Sequence, residues 1–476
     1  MEECLLSQEF IGQEEIAVHF GWKQEKKSAG KHSKATNPTK TIALVFAGII
    51  LLGALLLTLP VASRSGVSCG FRPALFTATS ATCVTGLVLY DTWTQWSGFG
   101  QVVIISLIEI GGLGFMSIAS IVVFLLRRKV GLKQRMVMAQ ALSLTDMEGV
   151  VRLQKLVLLG SLSVQSVGAL IIMLRFLPEY GFATALKWGV FHSISAFCNA
   201  GFDIFGCITS GNSLVELNSD PVLLLTLGAL VVVGGLGFLV WQEVITVRRW
   251  KKLSVYTKLV LLTTLAVLVI GWLLICLLEW NNPGTLGSMS VGGKLLNGLF
   301  QSITLRTAGF ASVDQALLTD AGKAVSIALM FIGGSSGSTA GGVKTVTMVV
   351  LVLFLASRAR GKNTVCAFKR TIPSSQVLDA MTISAIVVGL AMFGAVFISA
   401  TSPVSFVDAA FEAVSALATV GVTAGATTSL SIPAQILMII YMYFGRVGVL
   451  TISLGFLIGD KAEDRFQYAQ TNLLIG

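Results

Sequence analysis

Charge is scarce in this 476-residue chain: Asp, Glu, Lys and Arg make up 12% of it, against 54% for hydrophobic side chains. An ordinary soluble domain carries about twice that charge, so a surface facing water on every side is excluded. Histidine is rarer still, and His19, His32 and His192 are too scattered to ligate a metal as a set. Cys4, Cys69, Cys83, Cys198, Cys207, Cys276 and Cys366 contain no Cys-x-x-Cys pair, which argues against a disulfide framework or a zinc site. Paired carboxylates and nucleophile constellations are missing too, leaving a membrane enzyme nothing to work with. The first apolar run begins only after roughly forty polar residues, without a small-residue cleavage site, so a cleaved signal peptide is not expected.

Apolar length is what the chain has instead. The mean hydropathy is +0.81, and the runs at 41–60, 102–126, 222–241, 259–278 and 381–400 are each long enough to cross a hydrocarbon core. An integral membrane protein follows. The formal net charge of +10 raises nucleic acid as a partner, and the position of the charges decides against it. Of 34 Lys and Arg, 25 fall in five groups: before Thr41, Arg127 to Lys155, Arg248 to Lys258, Arg358 to Arg370, and after Gly459. Two crossings between successive groups place them all on one face, as the positive-inside rule requires of a cytoplasmic side. Both termini are predicted to be cytoplasmic, and the basic face to touch anionic membrane lipid.

Residues 1–40 read as a polar cytoplasmic tail, with a short helix around residues 11–20. The remainder repeats. Phe76 precedes Gly86 by ten residues, Phe191 precedes Gly201 by ten, Phe300 precedes Gly309 by nine and Phe411 precedes Gly421 by ten. Ten residues make only about 15 Å of helix, half a bilayer, so each segment must dip in and turn back. Longer apolar stretches flank each one. The predicted fold is an all-α membrane protein of four span, pore-loop, span units around one pore, with eight transmembrane helices and four re-entrant pore helices. The units are repeat 1 at 41–130, repeat 2 at 131–250, repeat 3 at 251–365, and repeat 4 with a C-terminal tail at 366–476. Each second span carries a small-residue cluster, and for the first two, at 111–114 and 234–237, close helix packing is the expectation.

Irregular backbone at membrane depth is tolerated where it lines water or is enclosed by protein. Four glycine-centred loops could ring one axis with the carbonyls of Val84-Thr85-Gly86, Asn199-Ala200-Gly201, Thr307-Ala308-Gly309 and Thr419-Val420-Gly421, and the last of these matches the start of the Thr-Val-Gly-Tyr-Gly filter of potassium channels. In the third unit the apolar span is interrupted by Gly333, Gly334, Ser335, Ser336, Gly337, Ser338, Thr339, Ala340, Gly341 and Gly342, ending at Lys344. So many glycines and hydroxyls would break a lipid-facing helix, and lining a water-filled pore is the consistent alternative. A phosphate-binding loop is the competing reading, but the Gly-Lys-Thr spacing is missed by one residue. Arg446 sits inside the last apolar stretch and is expected to face the pore and bond the 333–342 loop, with an ion pair to Glu109 as the alternative. Asp91, Asp203, Glu216, Asp220, Asp314 and Asp320 are expected near the outer mouth. Glu412 is expected at the start of the fourth pore helix, favoured there by the helix dipole as structural support.

With Thr-Gly-Leu at 85–87, Phe-Cys-Asn-Ala-Gly-Phe at 197–202, Arg-Thr-Ala-Gly-Phe at 306–310 and Ala-Thr-Val-Gly-Val at 418–422, the chain resembles the Trk/Ktr/HKT superfamily of potassium transporters. The likeness covers about residues 38–476 and is greatest to the KtrB-type membrane subunits of bacterial Ktr systems. It implies potassium as the substrate at the filter carbonyls, a serine for the first glycine where sodium is preferred, and a gating loop at 333–345 with Lys344 and Arg446 beneath the filter. It also implies a homodimer in the bacterial plasma membrane, a cytosolic KtrA-like nucleotide-binding ring as partner, and no cofactor in the chain, with sodium a candidate activator. A sodium-coupled or sodium-selective secondary transporter is the alternative; it predicts broken spans in matching positions of two halves.

Overall fold

The computed structural model describes residues 38–114, 150–208, 211 and 213–448. The expected helix at 11–20, the end of the first unit's second span after residue 114, the basic stretch 127–149 and the chain after residue 448 lie outside the described residues. Within them the protein is helical, with short turns and one antiparallel hairpin of Val365–Ala367 and Arg370–Ile372.

The order of long helix, short helix and second helix recurs four times. The first set is Pro38–Thr58, Phe71–Thr82 and Gly98–Leu113. In the second, long and short helices run together as Val150–Phe197 across a turn at Gly181, followed by Pro221–Gly235 and Phe238–Val247. The third is Val255–Glu279, Val291–Thr304, Asp320–Phe331 and Thr345–Ala359. The fourth is Ser374–Thr401, Phe406–Leu417 and Ile432–Val447. Small polar residues start them: the side chains of Ser97, Asp220, Ser254, Ser290, Thr319, Ser405 and Ser431 each accept from a backbone N–H in the first turn. Each such cap is worth about 1 kcal/mol.

Two expectations change here. The short helices start earlier than the phenylalanines that marked them, giving 12, 14 and 12 residues in the first, third and fourth sets. The second helices are not continuous: Pro221–Gly235 and Phe238–Val247 meet at 92°, and the helices ending at Leu113 and Val447 stop at Gly114 and Gly448, whose φ angles are 81° and 95°. Gly237 at the bend has φ 92°. A left-handed φ is cheap only for glycine, so the clusters read as packing motifs also end helices.

Three helices among the described residues, within Gln154–Phe197, Val255–Glu279 and Ser374–Thr401, are long and apolar enough to cross a membrane, and the bent pair makes a fourth if it is one span. Their outer faces are apolar: Leu159, Leu265, Leu277 and Leu378 are all more than 60% exposed. Polar side chains are enclosed instead, among them Ser80, Thr85, His192, Asn199, Gln301, Glu412 and Ser415. That inversion suits a hydrocarbon solvent.

The four sets close into a ring. Gln165 Nε2 donates to Glu109 at 3.0 Å between first and second, and Asn297 Nδ2 to Asn218 O at 2.9 Å between second and third. Lys323 Nζ meets Asp408 at 2.7 Å between third and fourth. Tyr443 Oη donates to Ala43 O at 2.7 Å, joining the fourth to the first.

Candidate functional site

Each short helix ends in a loop with one shared conformation. Val84, Asn199, Thr307 and Thr419 have φ of 54°, 59°, 64° and 51°, and the glycines two residues on, Gly86, Gly201, Gly309 and Gly421, have 104°, 68°, 86° and 93°. Left-handed backbone at Val84, Thr307 and Thr419 is strained because their side chains branch at Cβ, and such strain, about 1–3 kcal/mol per residue, persists only where the surroundings impose it.

A hydroxyl residue inside each short helix does the imposing. Thr85 N–H donates to Ser80 O at 2.8 Å, Ala200 N–H to Ser195 O at 2.8 Å, Ala308 N–H to Thr304 O at 2.9 Å and Val420 N–H to Ser415 O at 2.8 Å. The hydroxyls of the same four residues hold the extended chain beyond. Gly86 N–H donates to Ser80 Oγ at 3.0 Å, and the hydroxyls of Ser195, Thr304 and Ser415 donate to Phe202 O, Phe310 O and Val422 O at 2.7, 2.6 and 2.6 Å. These four residues were not singled out from the sequence. Their signal is a hydroxyl six residues before Gly86, Gly201 and Gly421 and five before Gly309, and the short third interval matches the shorter Phe300–Gly309 spacing.

The loops meet at their glycines. A Cβ on Gly86 would stand 2.6 Å from Ala200 O, on Gly201 2.5 Å from Gly309 Cα, on Gly309 2.9 Å from Val420 O, and on Gly421 1.8 Å from Thr85 O. Each contact leads to the next unit and the last returns to the first. The four glycines floor a funnel of about 390 Å³ that is also lined by Asp91, Asp203 and Asp314. The other three expected mouth acids serve helix starts: Asp220 caps Pro221–Gly235, while Glu216 and Asp320 lie in first turns.

Asp203 lies in the loop after Gly201, outside the helices, and burial, reinforced by the neighbouring Asp91 carboxylate, pushes its carboxyl up to about 6. It is charged above that pH and neutral below it. Cation uptake from sub-saturating solution is expected to fall roughly two- to threefold as the pH on the funnel side drops from about 7 to 5, with the step reduced in Asp203→Asn. A pH profile identical in the two proteins would remove Asp203 from the mouth's electrostatics.

On the other side of the glycines lies the interrupted helix of the third set. Residues 332–344 leave and rejoin it through Gly333 N–H to Val343 O at 2.9 Å and Thr345 N–H to Gly334 O at 3.0 Å. Ser335 N–H donates to Gly235 O at 3.1 Å, and Phe238 N–H to Gly337 O at 2.9 Å, so the bend in the second set is where the loop docks. Tyr256 Oη donates to Ser336 O at 3.1 Å. Within the loop, Ser338 Oγ donates to Ser335 O at 2.7 Å. Thr339 Oγ1 donates to Phe197 O at 3.0 Å and stands 3.2 Å from Asn199 Oδ1. A Cβ on Gly341 would be 2.0 Å from Thr419 Oγ1. The loop therefore crosses under the inner residues of the second and fourth glycine loops.

Three cations hold it. Arg446 donates through Nη1 to Thr339 O and through Nη2 to Gly111 O, and also to Gly112 O at 3.0 Å. The expected contact with the loop is present. The alternative partner, Glu109, instead accepts from Gln165 and Cys198. Lys344 Nζ donates to Ala340 O at 2.9 Å, closing the loop on itself. Arg306, to which the sequence assigns no role, is buried and donates to Gly333 O at 3.2 Å and Thr345 Oγ1 at 3.3 Å, at the loop's hinge. An ionisable side chain in an apolar setting was the available signal.

Glu412 needs correction. Its helix starts at Phe406, so it sits mid-helix and the N-terminal dipole does not account for it; Asp408 occupies the first turn. It is buried and accepts from Thr423 Oγ1, Ala424 N–H and Thr427 Oγ1 at 2.5, 3.1 and 2.7 Å.

The fold and the sequence have known relatives. The crystal structure of the potassium transporter TrkH from Vibrio parahaemolyticus shares the fold, with a TM-score of 0.68 at 17% identity over 90% of this chain and 86% of that one. The potassium/sodium uptake protein NtpJ of Enterococcus hirae is 38% identical over 448 residues, 93% of this chain and 98% of that protein. Ktr system potassium uptake protein B of Vibrio alginolyticus is 38% identical over 453 residues, 94% of this chain and 97% of that protein. A family profile described as TrkH, cation transport protein, matches residues 15–467. The chain belongs to the TrkH family of cation transport proteins.

Proposed function

We propose that the chain is the pore-forming membrane subunit of a potassium-uptake system; it is a transporter and not an enzyme. The observation that carries this reading is the closed ring of Gly86, Gly201, Gly309 and Gly421 beneath an acid-lined funnel, in a chain whose relatives are named for potassium or potassium/sodium uptake. The carbonyls of residues 84–86, 199–201, 307–309 and 419–421 replace the ion's hydration water. The short helices end beside these loops, and their negative C-terminal ends favour a cation. An inside-negative potential adds about 2.3 kcal/mol per charge per 100 mV toward uptake.

Beneath the filter the 333–345 loop, with Lys344 and Arg446, acts as the gate. The four helix sets are read as four span, pore-loop, span repeats making eight crossings, with both termini cytoplasmic in the bacterial plasma membrane. A homodimer and a cytosolic KtrA-like nucleotide-binding ring docked on the basic face complete the system, and sodium is the second ion to test as activator. The decisive experiment is rubidium and sodium flux into vesicles containing the protein, compared with Gly86→Ser. A Cβ at Gly86 meets Ala200 O at 2.6 Å, so the variant is expected to lose roughly tenfold in potassium-over-sodium preference, about 1.4 kcal/mol. An unchanged preference would sink the filter assignment of the first unit.

A further inference from the structure

The residue following the phenylalanine in each short helix is Thr77, His192, Gln301 or Glu412. All four are buried, and the three longer ones reach the chain that climbs away from the glycine. His192 Nε2 accepts from Ile204 N–H at 3.2 Å, three residues beyond Gly201, and Nδ1 stands 2.8 Å from Trp188 O. Because a backbone N–H only donates, Nε2 is the bare nitrogen and Nδ1 carries the hydrogen. Glu412 takes the equivalent N–H, Ala424, three residues beyond Gly421, and adds the hydroxyls of Thr423 and Thr427. Gln301 takes the residue six beyond Gly309, exchanging amide hydrogen bonds of 2.5 and 3.0 Å with Gln315. Thr427 is likewise six beyond Gly421.

We propose that this position is a specificity determinant set behind the filter, acting most strongly through Glu412. The proposal rests on the filter reading above. Glu412 touches no ion path and is a positioning residue. It acts through Thr423 and Thr427, both of which line the funnel.

The physical argument is one of stiffness. A carbonyl ring favours the larger of two alkali cations when its walls cannot close around the smaller one, and walls stay apart only if held from outside. Ser415 holds the strand at Gly421 and Val422; Glu412 holds it at 423, 424 and 427. Burying a carboxylate against neutral donors is costly, and its position at the same register as His192 and Gln301 makes the contact a property of the repeat. The chemistry differs in each unit, so the mouth is held unequally around the ring.

The test is rubidium uptake with sodium competition in vesicles holding the full chain, comparing Thr427→Val, Thr423→Val, Glu412→Gln, Glu412→Ala and the reference Gly86→Ser. Thr427→Val and Glu412→Ala are each expected to lower the preference for the larger ion about fivefold while uptake persists, the scale of one lost buried hydrogen bond. Combining Thr427→Val with Glu412→Ala should lower it no further than Glu412→Ala alone, since both act through one network. Glu412→Gln, which keeps an acceptor for Ala424 N–H, should recover half or more of the preference. An unchanged preference in Thr427→Val and Glu412→Ala, with Gly86→Ser shifted, overturns this inference and leaves the filter standing. Gly86→Ser also unchanged overturns both. If Glu412→Ala does not fold, the two threonine variants decide: a preference unaltered in both overturns the role of the position.

Discussion

Gly421→Ala is expected to reduce rubidium uptake by about a hundredfold or more, the cost of a substitution that forces backbone apart in a packed core. The added Cβ would stand 1.8 Å from Thr85 O, 2.8 Å from Thr85 C and 2.9 Å from Gly86 Cα. All three are backbone atoms and no rotamer change clears them. Thr85 and Gly86 cannot retreat either, since Ser80 holds both their N–H groups. A φ of 93° at Gly421 adds strain for any side chain. Gly66→Ala is the control: φ is 72° but nothing lies within 4 Å of its Cβ, so only the conformational strain is felt. Equal uptake by the two variants would mean that ring closure is irrelevant to transport.

Arg446→Ala has the second largest expected effect, in the opposite direction: resting flux rises about tenfold or more. The guanidinium ties the loop, at Thr339 O, to the wall, at Gly111 O and Gly112 O. Those last two carbonyls belong to the end of the Gly98–Leu113 helix, where a cation is favoured. A charge-assisted hydrogen bond contributes about 1.5–3 kcal/mol, so if the loop is the gate proposed above, losing the bond to Thr339 shifts its closed-to-open balance by about one to two powers of ten. Arg446→Lys keeps the charge but not the fork that reaches both sides, and should fall between. Stopped-flow measurement of thallium entry into vesicles separates the three; equal rates in all of them would remove Arg446 from the proposed gate.

The two substitutions differ in how readable their targets were. Gly421 was legible because its loop recurs: four phenylalanine-to-glycine intervals of nearly equal length are a linear pattern, and a linear pattern survives without a fold. Arg446 was legible as an anomaly, a cation in an apolar run, and its bond to the 333–342 loop followed from the need for carbonyl partners. Gly111 and Gly112, which take its second arm, were not, because the contact spans more than three hundred residues. The same holds for the hydroxyls of Ser80, Ser195, Thr304 and Ser415. Hydroxyls are common in these segments, and only the returning chain shows which one carries the loop.

Glu412 marks the boundary most clearly. Phe411, which marks the helix in the sequence, lies mid-helix, so the sequence points to the helix dipole where the structure has three donors. The bend of 92° between Pro221–Gly235 and Phe238–Val247 was hidden for a related reason: its two halves are both apolar, and hydropathy has no direction.

Composition and spacing by themselves determined the solvent this chain folds in, the fourfold order of its elements and the glycines on which they turn, because hydrophobic length and positive-φ positions are written residue by residue. Tertiary structure alone decided that Gly111 and Gly112 take the second arm of Arg446, where the second helices outside the third unit break and what stands behind the glycine loops. Those are contacts between segments about a hundred or more residues apart, or across a turn, and their energy depends on the angle and distance at which the segments arrive.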